Sequence, residues 1–261
     1  MNQYLKVLKA ATNNAISYLL AYRVDALMKL LLGLGWTAVN LITAEVLFLH
    51  TSAINGWSKP DLLALFMTFG FATEFGLLAG GYIKELETNI RKGTFDGIIT
   101  KPIDSQFISV FGRPDFSALM YLTTRQIPYI YVLWSDGIET SVSSFFLYLF
   151  LLLLANIIWL AVRVLLMTIN FWHQKLDNLA KLQLTITEFA KYPVGIFPWP
   201  IQLVMYTAIP LAFTAFVPAE ALRGNFGIGT ALFTLLITII FVLAARLLWN
   251  KALRNYTSAS S

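Results

Sequence analysis

Six stretches of this chain are apolar on every face over lengths close to the roughly 20 residues that a helix needs to cross a bilayer. They cover residues 26–49, 62–83, 116–134, 143–169, 176–190 and 228–249. A helix of a soluble domain carries polar side chains along one face, and these stretches do not. Hydrophobic residues make up 57% of the 261 residues and charged ones 13%, which is more apolar material than one soluble core encloses. The sequence therefore predicts an all-α integral membrane protein with six transmembrane helices in one domain, residues 26–261.

The fifth stretch, residues 176–190, is less regular than the others. Lys181 and Glu188 interrupt it, and Pro193 follows shortly after its end. Charged side chains at membrane depth are usually covered by neighbouring protein. We expect this helix to cross the membrane only beside other helices.

Residues 1–25 alternate apolar and polar side chains at roughly helical spacing. The apolar set includes Tyr4, Leu5, Leu8, Ile16, Leu19 and Leu20, and the polar set includes Lys6, Lys9, Asn13 and Asn14. This pattern is typical of an amphipathic helix that lies in the membrane interface. The apolar residues are dispersed rather than gathered in one block, so the segment is not predicted to be a cleavable signal peptide.

The basic residues between the six stretches are distributed unevenly. Eleven lie on one side of the predicted membrane: Lys6, Lys9, Arg23, Lys84, Arg91, Lys92, Lys101, Arg113, Lys175, Lys251 and Arg254. The other side has two, Lys59 and Arg223, and its loop at 135–142 holds Asp136 and Glu139 without a basic residue. Because cytoplasmic loops carry the excess of Lys and Arg, both termini are predicted to be cytoplasmic. The formal charge of +5 then reflects topology rather than nucleic-acid binding.

The longest hydrophilic stretch, residues 84–115, follows the second predicted span on the cytoplasmic side. Ile83, Leu86 and Ile90 are spaced as on one face of a helix, and Gly93 is placed to cap that helix. The apolar residues that follow, mixed with turn formers, are Phe95, Ile98, Ile99 and Ile103. Two interpretations stay open: these side chains contact another protein, or they lie on the membrane or pack beneath the chain's own helices.

Prolines interrupt the apolar segment at residues 192–224, on the predicted outer side. They are Pro193, Pro198, Pro200, Pro210 and Pro218. Proline breaks a helix, and broken backbone persists at membrane depth only where protein or a water-filled cavity satisfies its polar groups. We predict a re-entrant or interfacial pair of short helices between spans five and six, with a single proline-kinked span as the alternative.

Several charged residues fall inside the predicted spans, where a central charge costs about 2.5 to 3.5 kcal/mol. Glu74 and Arg125 each lie near the middle of a span, and facing one another would lower the cost of both. Such a pair could be structural or could lie on a translocation path. Lys29 and Arg163 are expected instead to extend toward the cytoplasmic interface.

The chain lacks the common signatures of catalysis. No GxxxxGK[ST] phosphate loop, GxSxG elbow or HExxH helix occurs, so we expect no enzymatic activity here and any ATPase to be a partner. There is no cysteine, and the two histidines, His50 and His173, do not suggest a metal site.

A set of segments in a fixed order resembles the permeases of ABC type 2 exporters, in particular the short branch with little extracellular mass. Besides the amphipathic N-terminal helix, they are Ile90-Arg91-Lys92-Gly93-Thr94-Phe95-Asp96-Gly97-Ile98-Ile99-Thr100-Lys101-Pro102-Ile103, Phe171-Trp172, Lys191-Tyr192-Pro193-Val194-Gly195-Ile196-Phe197-Pro198, Ile209-Pro210-Leu211-Ala212-Phe213 and Pro218-Ala219-Glu220-Ala221-Leu222-Arg223-Gly224. The order and spacing of the set, more than any one member, carry the resemblance, which extends over nearly the whole chain.

The resemblance implies a function for both irregular segments. The cytoplasmic one would form a coupling helix seated on an ATP-binding cassette ATPase, with contacts from Glu87, Arg91, Gly93, Phe95, Asp96, Lys101 and Pro102. The outer one would form an external gate that includes Pro193, Phe197, Pro198, Pro210 and Pro218. A second permease, a copy or a relative, would complete the pathway in a bacterial-type plasma membrane. ATP and Mg would bind to the ATPase, leaving no cofactor in this chain.

Two other functions remain open from the sequence. One is an ATP-independent transporter or channel in which Glu74 and Arg125 bind an ion or proton. The other is a membrane scaffold without transport activity. A mostly apolar lining with few central charges favours an amphiphilic cargo over a small ion.

Overall fold

The computed structural model describes residues 2–135, 140–172 and 179–256. These residues form α-helices and short 3-10 helices, with no β-strand among them, which confirms the predicted all-α class. The α-helices are α1 (Asn2–Ala21), α2 (Arg23–Phe48), α3 (Lys59–Gly80), α4 (Leu86–Arg91), α5 (Asp96–Ile99), α6 (Ser105–Phe111), α7 (Ala118–Ser135), α8 (Val142–Thr168), α9 (Leu179–Thr187), α10 (Trp199–Tyr206), α11 (Phe216–Leu222) and α12 (Ile228–Arg254). The 3-10 helices are Tyr82–Glu85, Ile169–Phe171, Glu188–Lys191, Val194–Ile196 and Leu211–Phe213. Asp136, Glu139, His173 and Lys175 lie outside the described residues.

Among the described residues, four helices are long and apolar enough to cross a membrane: α2, α3, α8 with the 3-10 turn that follows it, and α12. The pair Trp199–Tyr206 and Leu211–Leu222 is bent by 69° and would be a fifth crossing if it spans as one broken unit. The helix at the third predicted span, α7, has 18 residues and is more polar because it contains Arg125 and Gln126. Several spans are therefore present, and the number six stays a prediction.

Only residues 179–190 of the fifth predicted span lie among the residues that the structure describes. Its described part consists of the nine residues of α9 and the 3-10 helix Glu188–Lys191. At about 1.5 and 2.0 Å per residue these rise by roughly 20 Å, less than the hydrocarbon thickness of about 30 Å. The charges of Lys181 and Glu188 are both exposed on this element.

The N-terminal helix ends slightly before the predicted boundary at residue 25. Tyr22, at φ −106° and ψ 58°, separates α1 from α2. On α1 the buried hydrophobic residues are the small Ala11 and Ala15, while Leu5 and Leu20 are about 60% exposed. The ring of Tyr4 packs edge-on against Phe107 of α6, with centroids 4.8 Å apart. The helix thus rests on the cytoplasmic segment and leaves apolar side chains uncovered.

The central helix of the bundle is α3, which packs against α2, α7, α8 and α11. Glycines let the helices approach closely. A Cβ atom at Gly76 would lie 2.4 Å from the Trp159 ring, and one at Gly80 would lie 2.4 Å from a Leu160 methyl. At Gly33 of α2, a Cβ atom would lie 2.0 Å from the Thr124 hydroxyl. These contacts set the spacing of α2, α3, α7 and α8 around the site described below.

We expect Gly76→Ala to lower the free energy of unfolding by about 1 to 3 kcal/mol, since the added methyl must displace the buried Trp159 ring. Gly35→Ala is the matched control. Gly35 also lies in a long apolar helix, α2, but a Cβ atom there would have no neighbouring atom within 4 Å. The control is expected to be neutral or to stabilise by up to about 1 kcal/mol. Denaturant unfolding in mixed micelles, followed by tryptophan fluorescence, measures both; equal effects would contradict the close packing of α3 on α8.

Candidate functional site

The segment after α3 that is predicted to be cytoplasmic, residues 84–115, folds back onto the ends of α8 and α12. The segment turns at Gly93, which has φ +70° and follows α4 as the predicted cap. The Gly93 N–H donates to the Ile90 carbonyl at 3.2 Å, and the Phe95 N–H donates to the Asn89 carbonyl at 3.1 Å. This turn directs α5 back into the protein.

An aromatic cluster beneath α5 packs this short helix against the rest of the protein. The Phe95 ring is fully buried and meets Phe171 and Tyr256 edge-on, with centroids 5.1 and 5.3 Å apart. Trp249 of α12 lies edge-on to both phenylalanines. Of the two interpretations that the sequence leaves open, packing beneath the chain's own helices holds for Phe95 and for Ile98, which is 5% exposed. In this arrangement the Phe95 side chain is covered by the chain itself and presents no surface to a partner.

Polar contacts fix the same segment to α12. The Tyr256 hydroxyl donates to Asp96 Oδ1 at 3.0 Å; burial and the adjacent carboxylate raise the pKa of Tyr256 to about 12. Arg246 forms a 2.6 Å ion pair with Asp104, the N-cap residue of α6. Although burial opposes it, the hydrogen bonds and charge of Arg246 and the Phe107 N–H lower the pKa of the Asp104 carboxyl.

The outward side of the segment is a mixed surface that we call the coupling tip. It consists of the exposed residues Arg91, Lys92, Thr94, Gly97, Ile99, Thr100, Lys101 and Pro102. Ile99 is 41% exposed. Of the remaining residues that the resemblance implies, Glu87, Gly93 and Asp96 are partly buried at its edge. The tip therefore presents an apolar side chain between basic ones on a rigidly supported turn.

Glu74 of α3 and Arg125 of α7 form an ion pair, as their shared depth suggests. Arg125 Nη1 lies 2.6 Å from Glu74 Oε1, and the two side chains are 11% and 8% exposed. At Gly70, one turn along α3, a Cβ atom would lie 3.1 Å from Gln126 Nε2, so the glycine lets α7 side chains approach α3 closely. The Gln126 side chain donates to the Met67 carbonyl at 3.3 Å. Side chains of α3 and α7 are thus joined by polar contacts along two adjacent turns.

The ion pair lies on the wall of a cavity of about 340 Å³ between α2, α3, α7 and α9, which we call the inner cavity. Its charged lining consists of Lys29, Glu74, Asp115, Arg125, Glu188 and Lys191. Lys191 pairs with Glu188 at 2.6 Å, and the Lys29 ammonium donates to the Ser117 hydroxyl at 2.7 Å. Trp36, Phe69 and Tyr121 supply aromatic surface. The cavity is neutral in formal charge, with three acidic and three basic side chains on a wall that is otherwise largely apolar.

Sequence reasoning did not place Asp115, Ser117, Glu188 or Lys191 in this site. The Ser117 N–H donates to Asp115 Oδ1 at 3.2 Å, a turn that starts α7 and is visible in the sequence as Asp-x-Ser. The hydrogen bond from the Ser117 hydroxyl and the ammonium charges of Lys84 and Lys29 outweigh burial and lower the pKa of the Asp115 carboxyl. Glu188 and Lys191 are three residues apart, a spacing at which opposite charges on a helix pair, so this contact too is visible in the local sequence.

Arg163 does not extend to the interface, so that expectation is wrong. The residue is 1% exposed, and its guanidinium lies 5.0 Å from the centroid of the Trp159 ring. Its Nε and Nη1 atoms are buried and have no hydrogen-bond partner among the described residues. Since Trp159 packs on Gly76, Arg163 is enclosed between α8 and its neighbours. Lys29, by contrast, keeps a quarter of its side chain exposed and pairs with Asp25 at 2.8 Å.

The segment that is predicted to lie on the outer side, residues 192–224, is folded as two short α-helices and two 3-10 helices, with tight turns around its prolines. Pro193, Pro210 and Pro218 are buried, Phe197 is partly buried and Pro198 is exposed. The 69° bend between α10 and the following helical pair falls at residues 207–210. Part of this predicted gate is therefore built into the core, and the choice between a re-entrant pair and a broken span stays a prediction.

Arg223, at the end of α11, holds the outer segment against the start of α3. Its guanidinium contacts Asp61 at 3.0 Å, Glu220 at 2.8 Å and the Gly56 carbonyl at 2.8 Å. It also lies 4.4 Å from the centroid of the Trp57 ring. One side chain thus joins two helix ends and the tight turn between α2 and α3.

Replacing Arg223 with Met is expected to reduce the unfolding free energy by about 2 kcal/mol, because Asp61 and Glu220 lose their shared cation. Arg254→Met, at an exposed position in the last turn of α12, serves as the control and should stay within about 0.5 kcal/mol of the parent. Thermal unfolding in detergent compares the two. Indistinguishable losses would mean that the outer contacts contribute nothing to stability.

A comparison with protein-family models matches residues 34–260 to the ABC-2 family transporter protein model. The matched range includes the coupling tip, the ion pair and the outer segment. A search of curated proteins found no match.

Proposed function

Since the chain belongs to the ABC-2 family of transporter proteins, we propose that it is the membrane permease subunit of an ATP-driven exporter whose ATPase is a separate polypeptide. The chain would form half of the translocation pathway. Its six spans would leave both termini in the cytoplasm of a bacterial-type cell, with α1 lying in the membrane interface. ATP and Mg would bind only to the ATPase subunits.

The coupling tip is the observation that carries this proposal. An apolar side chain, Ile99, stands among Arg91, Lys92 and Lys101 on the cytoplasmic side. Interfaces commonly combine an apolar anchor with polar and Arg contacts at the rim. Behind the tip, Phe95 and Asp96 are fixed to α12. A partner that displaces the tip would therefore also move a membrane helix, because the tip is not part of a flexible loop.

The exposed faces of α2 and α12 leave room for a second permease. Only 17% of the apolar window of α2 and 22% of that of α12 are buried within the chain. A second copy or a related permease on the α2 side would place the inner cavity near the seam between subunits. Glu74 and Arg125 would then line the pathway, and the outer segment would form its external gate.

Affinity capture of the tagged chain from native membranes in mild detergent tests the proposal. Recovery of a P-loop ATPase that is lost with a charge reversal at Lys101 would support it; Lys251→Glu, exposed on α12, is the control for charge alone. A chain that transports in liposomes without ATP and captures no ATPase would refute it. That result would favour the ATP-independent transporter or channel that uses Glu74 and Arg125.

A further inference from the structure

The inner cavity adjoins a second one on the cytoplasmic side. This second cavity, which we call the interface cavity, has a volume of about 320 Å³ and lies between α1, the start of α2 and residues 81–117. Lys29, Asp115 and Ser117 line both cavities. The interface cavity also touches Tyr18, Tyr22 and Arg113, so it opens where the amphipathic helix meets the membrane surface. Together the two cavities trace one polar route from that surface to Glu74 and Arg125.

Three polar side chains form the junction between the cavities. The Lys29 ammonium donates to Ser117 Oγ at 2.7 Å, and the Ser117 hydroxyl donates to Asp115. Lys29 also pairs with Asp25 at the mouth of the interface cavity. These contacts are side chain to side chain, so the junction can open by rotation of Lys29 without moving a helix.

The charges along the route alternate in sign. Glu74 faces Arg125, Glu188 faces Lys191, and Asp115 lies beside Lys29 across the Ser117 hydroxyl. A ligand with one charge would satisfy one member of such a pair and leave the other without its partner, which is most costly at the buried Glu74–Arg125 pair. A ligand with both charges, a few ångströms apart, can replace both partners at once. The alternation therefore favours a zwitterionic head group.

The remaining walls fit the rest of such a molecule. Trp36, which is 56% exposed, and Tyr121 offer aromatic faces to an ammonium group. Leu184 of α9 lines the cavity and is 39% exposed, so the lining continues onto the outer surface of the bundle. An acyl chain can leave the cavity on that side and stay in lipid.

We propose that the two cavities admit the zwitterionic head group of an amphiphile from the cytoplasmic leaflet, with its apolar tail remaining in the bilayer. This inference rests on the proposed function, because it names the class of cargo that the permease would move. Lys29, Ser117 and Asp115 act as the junction that the head group passes. The Glu74–Arg125 and Glu188–Lys191 ion pairs open, and their charged groups bind the opposite charges of the head group instead.

The test uses the purified full-length chain in nanodiscs of phosphatidylglycerol, without ATPase or ATP. The probe is lysophosphatidylcholine with a nitroxide near the head group, and the signal is saturable quenching of tryptophan fluorescence that disappears in Trp36→Phe. Nitroxide-labelled alkyl sulfate and alkyl trimethylammonium are the singly charged comparisons. We expect the zwitterionic probe to bind at least tenfold more tightly than either. Equal affinities for all three head groups, or quenching that never saturates, would overturn the proposal.

The Glu188–Lys191 pair gives a sign-specific check that does not depend on the buried Glu74–Arg125 pair. Lys191→Met leaves Glu188 without its partner and should raise affinity for the cationic probe several-fold, while Glu188→Gln should do the same for the anionic probe. Lys59→Met and Glu45→Gln, at an ion pair that does not line the inner cavity, are matched controls and should change neither. Unchanged selectivity in Lys191→Met and Glu188→Gln would sink the proposal.

A competition experiment identifies the source of the head group. If phosphatidylcholine added to the nanodisc competes with the probe, the ligand is a bilayer lipid; if it does not, the ligand is a separate amphiphile. Either answer supports zwitterion binding. Because no ATPase is present, failure here is distinct from failure to capture an ATPase.

Discussion

Replacing Glu74 with Ala is expected to lower the free energy of unfolding by about 3 to 5 kcal/mol. The substitution leaves the Arg125 guanidinium, 11% exposed, without its carboxylate in a site that water cannot fully solvate. Buried charges that lose their partner are among the most destabilising changes in proteins. Denaturant unfolding in mixed micelles, followed by tryptophan fluorescence, measures the loss.

The double variant Glu74→Leu with Arg125→Met separates a structural role from a transport role. With both charges removed, the seam between α3 and α7 is apolar, and stability is expected to recover to within about 1 kcal/mol of the parent. ATP-driven transport is expected to stay lost, because the pair lines the inner cavity. A stable double variant with full transport would make the pair structural only.

Glu45 and Lys59 provide a control of the same chemistry in another environment. Their ion pair is 2.7 Å long, but the carboxylate is 63% exposed. Glu45→Ala should therefore cost less than about 1 kcal/mol. If it costs as much as Glu74→Ala, then burial does not explain the effect at Glu74.

The sequence predicted the helical membrane class and named Glu74 and Arg125 as candidates for pairing, while leaving open whether they touch, because both inferences depend on local or strongly constrained features. Apolar runs of membrane length exclude most soluble folds, and two opposite charges at mid-span have few alternatives to pairing. The inner cavity was not predictable, since Asp115 precedes α7 and Lys191 follows α9, and only packing brings them together. Arg163 shows the same difficulty: its burial depends on Trp159 and Gly76, not on its position in α8.

The cytoplasmic segment shows where pattern reasoning reaches its limit. Phe95 and Ile99 are four residues apart and both apolar, yet one is fully buried and the other is 41% exposed. The difference comes from Trp249 and Tyr256, more than a hundred residues along the chain, which close over the Phe95 ring. No local pattern distinguishes the two positions, so both interpretations of the segment were open from the sequence.

Because Phe95 is buried and Ile99 is exposed, replacing each residue is expected to have a different effect. Phe95→Ala should lower the unfolding free energy by about 3 to 5 kcal/mol, because it empties the centre of the aromatic cluster beneath the coupling tip. Ile99→Asp should leave stability within about 1 kcal/mol of the parent and reduce capture of the ATPase about tenfold or more, since it places a charge on the apolar anchor. Unfolding measurements and quantitative capture, made on both variants, compare the two roles.

A conservative substitution sharpens the comparison at Phe95. Phe95→Leu keeps most of the apolar volume and should recover much of the stability that Phe95→Ala loses. If capture recovers in parallel with stability, the buried ring supports the tip from behind and Ile99 makes the contact. If Phe95→Leu is stable but captures no ATPase, the ring must leave the cluster to reach the partner, and coupling would then require the segment to unpack from α12.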